Sequence, residues 1–257
     1  MSYPFRSALV TGASSGIGEQ MVHLLADDGV DVVAVARRED RLRKLAEQHA
    51  TVEVLAADLT DADDLERVAE RVGDEASPID LVVNNAGFGT SGSFADVDVG
   101  RLADEVALNC GALTRLSHAA LAAMVPRGRG YLLNVSSLIS FQPAPKLAVY
   151  AASKAYVTNL SESLHEEVKG DGVHVTALCP GLTPTEFQSV SSTESYSEKY
   201  PGFAWTNAVD VARQGLADVA KNRALSIPGV VNKSIAAASA VTPRGVLRRI
   251  SGLVQRD

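Results

Sequence analysis

The chain has 257 residues, 46% of them hydrophobic, which is enough to bury a sizeable core. A formal net charge of −7 argues against nucleic acid as the main partner, since a phosphate backbone wants a basic surface. Two cysteines without CxxC spacing argue against a disulfide framework or a zinc site, and no run of about 18 apolar residues offers a membrane span.

Met1–Arg6 leaves no room for a signal peptide, and the cysteine usage fits a reducing setting, so a cytoplasmic location is expected. The first apolar run, Ser7–Thr11, reads as a buried strand and ends in Thr11-Gly12-Ala13-Ser14-Ser15-Gly16-Ile17-Gly18. Three glycines there let the backbone bend tightly and approach a pyrophosphate, and a helix beginning near Gly16 offers its free N–H groups to it. Without a ligand, the same residues would make an ordinary tight turn.

The second strand, Asp31–Ala36, is followed by Arg37 and Arg38. A site that prefers NAD places a carboxylate at its end, to accept from the ribose hydroxyls and repel a 2′-phosphate. Ala36 fills that place here, so NADP(H) is expected as cofactor. Arg37 is the first candidate for the 2′-phosphate and Arg38 the second.

A helix starts near Glu39, a third strand spans Val52–Ala56, and Asp58 or Thr60 is placed to cap a helix beginning near Asp61. Strand Leu81–Asn84 precedes Asn85, Ala86 and Gly87, and one helix is expected over Val99–Met124. Strand Tyr131–Val135 ends at Ser136 and Ser137; a helix then begins near Tyr150. Strand Val173–Leu178, a helix near Asp210 and a short strand near Ala224–Ile227 complete the alternation. Such alternation gives an α/β fold: a doubly wound parallel sheet of about seven strands with helices on both faces. No linker or repeat interrupts it, so residues 1–257 are expected to form one domain.

Tyr150 and Lys154 lie one helical turn apart. A lysine ammonium there is expected to lower the phenol's pKa, making Tyr150 a general acid in reduction and a general base in oxidation. Six tyrosines and seven lysines would produce roughly 0.16 such pairs by chance, so the pair alone is weak; Ser137 at a strand end upstream strengthens it. The five histidines show no ligand spacing and no metal is expected; Glu162, Glu166 and Glu167 read as a solvated face.

These motifs, in this order, resemble the short-chain dehydrogenase/reductase family over roughly the first 210 residues. The resemblance implies a Rossmann-type oxidoreductase interconverting a carbonyl and an alcohol. It implies that Ser137 orients the substrate oxygen, that Asn109 serves a proton relay, and that Lys154 also holds the nicotinamide ribose. The implied cofactor residues are Gly12, Ser14, Ser15, Gly16, Ile17, Gly18, Arg37, Arg38, Asp58, Leu59, Asn85, Ala86, Gly87, Tyr150, Lys154, Pro180, Gly181 and Thr183. The Gly-x3-Gly-x-Gly turn and the absence of a larger C-terminal domain disfavour an epimerase. A non-catalytic NADP sensor would need neither Tyr150 nor Lys154.

Gly181–Asn207 is expected to form a lid, and its Phe187, Tyr196, Tyr200, Phe203 and Trp205 suit a lipophilic carbonyl substrate, unless they only anchor the lid. The alternative substrate is a 3-oxoacyl thioester, with Arg127 and Arg129 available to an acidic carrier. Apolar faces on Val99–Met124 (Leu102, Val106, Leu113, Leu116) and Ser153–Val168 imply, with the resemblance, a homodimer or homotetramer. The tail 230–257 carries five cations against one anion. Its stretch Val246–Val254 sets an apolar stripe beside arginines, which suits the substrate entrance, weak contact with an anionic membrane surface, or packing on the body.

Overall fold

The computed structural model describes residues 3–193, 202 and 205–254. Its seven strands are β1 (Ser7–Thr11), β2 (Asp31–Ala36), β3 (Val52–Ala56), β4 (Leu81–Asn84), β5 (Gly130–Val135), β6 (Val173–Leu178) and β7 (Leu225–Ser226). All pair in parallel, in the order β3-β2-β1-β4-β5-β6-β7. β1 pairs with β2 on one side and β4 on the other, so the winding reverses there. The crevice outside the carboxyl ends of β1 and β4 is therefore where a ligand can enter between the loops.

The helices are α1 (Gly16–Asp27), α2 (Glu39–Gln48), α3 (Ala62–Gly73), α4 (Val99–Val106), α5 (Leu113–Arg127), α6 (Ala148–Glu167), α7 (Phe187–Val190), α8 (Ala208–Ala220), α9 (Val230–Val241) and α10 (Arg244–Val254). Strand side chains alternate between two cores. Ala8 and Val10 of β1 pack with Met21 and Leu25 of α1 and Leu216 of α8, while Leu9 faces Val68 of α3 and Met124 of α5. Both faces are covered, which is why the strands read as continuous apolar runs.

Several expected boundaries move. β5 begins at Gly130, α6 at Ala148, and α8 at Ala208, where Asn207 caps it by accepting from Val209 N–H. The cap of α3 is neither Asp58 nor Thr60. It is Asp61, which accepts at 3.0 Å from the N–H groups of Asp63 and Asp64. The single helix expected over Val99–Met124 is broken by a π-helical segment, Ala107–Ala112. A π turn is wider than an α turn, so side chains before and after it no longer share a face. Val106 stays exposed, whereas Leu113 and Leu116 enter this chain's own core. Half of the expected interface stripe is thus spent internally.

The tail forms α9 and α10. α9 buries Asn232, Ala236 and Ser239 and exposes Val230, Val231 and Ile235; α10 buries Leu247 and exposes Val246, Ile250 and Leu253. One side of α10 thus packs on the body, and its apolar stripe lies open beside Arg249. Among the described residues, no helix is long and apolar enough to cross a membrane.

Candidate active site

The loops at the carboxyl ends of β1, β4, β5 and β6 converge on one crevice. The turn after β1 is held by β4. Thr11 Oγ accepts from the N–H groups of Asn85 and Ala86, both at 3.0 Å, and the Asn85 amide donates to Thr11 O at 2.9 Å. Gly12 has φ +65°, and a Cβ there would stand 2.7 Å from Asn85 Nδ2, so only glycine fits. Ser15, at the N-cap of α1, makes no side-chain cap hydrogen bond, which leaves the first amides of that helix for an external acceptor. Glycine cradle and open helix end together fit a dinucleotide pyrophosphate.

At the adenosine side the two arginines part. Arg37 is 73% exposed and reaches only Asp58, at 3.7 Å. Arg38 instead lies across the phosphate turn and donates to the Ser14 and Ser15 hydroxyls. Of the two candidates it is Arg38 that touches the turn, and Arg41, which sequence reading passed over, shares its partner Glu186. Asp58 is held by its own turn: Oδ1 accepts from Thr60 N–H and hydroxyl. Burial opposes its charge, but these bonds and Arg37 outweigh that and keep its carboxyl below the usual range. Leu59 is buried in the core. Ile17 packs partly against the opposite core, and Gly18 is buried in α1.

Ser137 from the turn after β5, Asn109 from the π segment, and Tyr150 and Lys154 from α6 meet. The Ser137 hydroxyl is hydrogen-bonded to the Tyr150 phenol, and Lys154 Nζ lies 5.8 Å from the Tyr150 ring centre. A Cβ on Gly87 would stand 2.8 Å from Asn109 Oδ1 and 3.4 Å from Lys154 Nζ, which places all three together. Asn109 sits in the π segment. Its amide donates to Phe88 O at 2.8 Å and Ser153 Oγ at 3.0 Å, and its carbonyl accepts from Phe88 N–H. These bonds tie the loop after β4 to α6.

The expected lysine effect on tyrosine is not found. Burial raises the Tyr150 phenol above its ordinary value; the bond from Ser137 only partly offsets this. Burial also brings Lys154 down to about 8. Lys154 Nζ donates to Val135 O at 2.8 Å. Both groups are thus driven toward their neutral forms. Sequence reading also missed Glu105, a fully buried carboxyl whose pKa burial raises against Thr90, Arg101 and Lys154. Both cysteines are free thiols, and burial pushes Cys179 up to about 11.

The described residues after β6 line one side of the crevice. Pro180 O accepts from Leu138 N–H, and Gly181 lies against the Asn232 side chain of α9. The Thr183 hydroxyl turns back to Gly181 O; Thr185 is the threonine that touches the turn, 3.1 Å from where a Cβ on Gly16 would stand. Phe187 lies against Tyr150, ring centres 5.2 Å apart, and Trp205 pairs in a bridge with Leu182. Tyr196, Tyr200 and Phe203 lie outside the described residues. Arg127 and Arg129 are far from this crevice: they bind Ile79 O and Asp80 at the amino-terminal edge of the sheet. Among the described residues, no three His, Cys, Asp or Glu side chains cluster to hold a metal.

The short chain dehydrogenase family pattern matches residues 6–195. An uncharacterized oxidoreductase of Myxococcus xanthus is 40% identical over 198 residues, covering 75% of this chain and 77% of that one. Two solved structures superpose over 98% of this chain. One is a short-chain dehydrogenase from Sphingobium yanoikuyae in complex with NADPH, with TM-score 0.81, 30% identity and 96% of its chain covered. The other is a bulky-bulky ketone specific alcohol dehydrogenase from Comamonas testosteroni, with TM-score 0.78, 29% identity and 95% covered.

Proposed function

The chain belongs to the short-chain dehydrogenase family of oxidoreductases, and we propose that it reduces a bulky, lipophilic ketone with NADPH, or runs the reverse oxidation. The observation that carries this reading is the Ser137–Tyr150 hydroxyl pair, its phenol buried, beside Lys154 and Asn109 in the crevice at the carboxyl ends of the strands. A bound nicotinamide would exchange hydride with the carbonyl carbon. Ser137 and Tyr150 then hold the carbonyl oxygen between two hydroxyls. Tyr150, kept protonated by burial, gives that oxygen its proton. Lys154 sits where it can hold the ribose and restore the phenol's proton, and Asn109 fixes the loop that carries Gly87 against it.

Support for the cofactor comes from Ala36, Arg38 and Arg41 at the end of β2, and from the NADPH complex of the Sphingobium relative. Support for the substrate class comes from Phe187 facing Tyr150 and from the bulky ketones named for the Comamonas relative. The 3-oxoacyl thioester alternative loses the help of Arg127 and Arg129, which face the wrong edge. A panel of ketones assayed for NADPH loss tests this reading. Aryl and long-chain ketones are expected to react faster than acetone-sized ones; binding of NADPH without turnover of any ketone would refute it. The chain is also read as a homodimer or homotetramer through α4 and α6: Val99, Val106 and Tyr156 are exposed on them, and Val106 lines an open groove of about 420 Å³ with Ala148, Val149 and Ala152. Light scattering giving a monomer at working concentration would remove that reading.

A further inference from the structure

Two cations and one anion meet at the rim of the phosphate turn. Arg38 donates to Ser14 Oγ from Nε at 3.1 Å and from Nη2 at 3.0 Å, and to Ser15 Oγ from Nη2 at 2.9 Å. Its remaining nitrogen, Nη1, lies 2.7 Å from Glu186 Oε2. Arg41 Nη1 lies 2.7 Å from Glu186 Oε1 and 3.4 Å from Ser14 O. Each guanidinium therefore has one side on the turn and one on the same carboxylate.

Glu186 comes from a distant part of the chain, just before α7 in the segment after β6. Its neighbour Thr185 packs directly on Gly16. The carboxylate thus straps that segment across the phosphate turn. The two arginines hold the Glu186 carboxyl below its ordinary range, and Glu186 in turn raises Arg41. All three side chains remain about two-fifths exposed, so solvent screens the contact and partners can exchange. A phosphate monoester brings more charge and a third acceptor oxygen to the same donors, which favours it over a carboxylate.

We propose that Glu186 is a specificity-determining residue: it competes with the 2′-phosphate of NADP(H) for Arg38 and Arg41, and straps the residues just before α7 to the turn until it yields them. This rests on the NADP reading above. Glu186 gives way only to a ligand that carries an anion at the 2′ position. NAD(H) has none, so the strap stays in place over it. The site then discriminates twice, once by attracting the phosphate and once by withholding release of the strap. The cost is a lower absolute affinity for NADP(H), because a carboxylate must be displaced.

Adenosine 2′,5′-bisphosphate and 5′-AMP carry this end of the two cofactors without nicotinamide. Their binding to the full-length protein and its Glu186→Gln variant is measured by calorimetry. The wild type is expected to bind the bisphosphate more tightly than AMP. Glu186→Gln is expected to tighten the bisphosphate about fivefold and leave AMP within about twofold. If the variant binds the bisphosphate no better than the wild type does, or binds it more weakly, the competition is wrong while the cofactor reading stands. If the wild type does not distinguish the two ligands, the cofactor reading fails and takes the competition with it.

Discussion

At one end of the crevice, Tyr150 and Lys154 are 9% and 5% exposed and shifted toward their neutral forms. At the other end, Arg38, Arg41 and Glu186 are about two-fifths exposed, fully charged and paired with one another. The dry end gets its chemistry from desolvation, which sets proton affinity and admits no salt screening. The wet end holds ion pairs that water and salt weaken, and the proposed selectivity would come from them. A change of one atom is therefore expected to matter far more at the first end than at the second.

The largest effect tests the dry end. Tyr150→Phe keeps the ring against Phe187 but removes the proton. Turnover is expected to fall about a thousandfold with NADPH affinity within about twofold, by steady-state kinetics and fluorescence titration. A variant keeping a tenth of the activity would show that Tyr150 is not the acid. Lys154 gives a second test without substrate. Its pKa is about 8 folded and 10.5 unfolded, so the unfolded chain holds more protons between those values. The burial cost is fully present below pH 8, shrinks as pH rises, and is gone above 10.5. Lys154 should thus make stability rise by roughly 3 kcal/mol across that window, and Lys154→Met should lack this rise in urea titrations.

At the wet end, Arg38→Ala is expected to lower the NADPH-over-NADH preference about tenfold, and less at high salt. Arg37→Ala should change it by less than about twofold, since Arg37 pairs only with Asp58. Equal losses in the two variants would erase the distinction between these neighbours. Ala36→Asp with Arg38→Ile should reverse the preference. The smallest effect lies outside the crevice. The wild type is expected to float weakly with anionic vesicles through α10 and Arg248→Glu with Arg249→Glu to lose this, and flotation independent of anionic lipid would dispose of that contact.

The dry end was legible in the sequence because its spacing is local. Tyr150 and Lys154 share a helix face wherever that helix goes, and the turn that carries Ser137 lies at the carboxyl end of a buried strand, on the side of the crevice. The strands were legible because burial on both faces writes a continuous apolar run. The sign of the Tyr150 shift was not, since it depends on how completely Phe187 and the neighbouring loops exclude water. The wet end was legible only as composition: Ala36 where an NAD site carries an acid, and two arginines after it. Which arginine crosses the turn depends on the backbone after β2, and Glu186 reaches it from a remote loop. No periodicity encodes such a pairing.

The wide turn at Ala107–Ala112 acts as a phase shifter in what would otherwise be one rod. On an uninterrupted α-helix, Val106 and Leu113 are seven residues apart and point the same way. Here one looks outward and the other inward. A single rod thus serves two clients, an outer surface upstream and its own core downstream, with Asn109 at the changeover. Deleting one residue within 107–112 would rewind the wide turn to an α turn and leave Val106 and Leu113 six residues, about 600°, apart, so each would keep its face. The rod can therefore absorb the loss of one residue there and still serve both clients, at the expense of the backbone that holds Asn109.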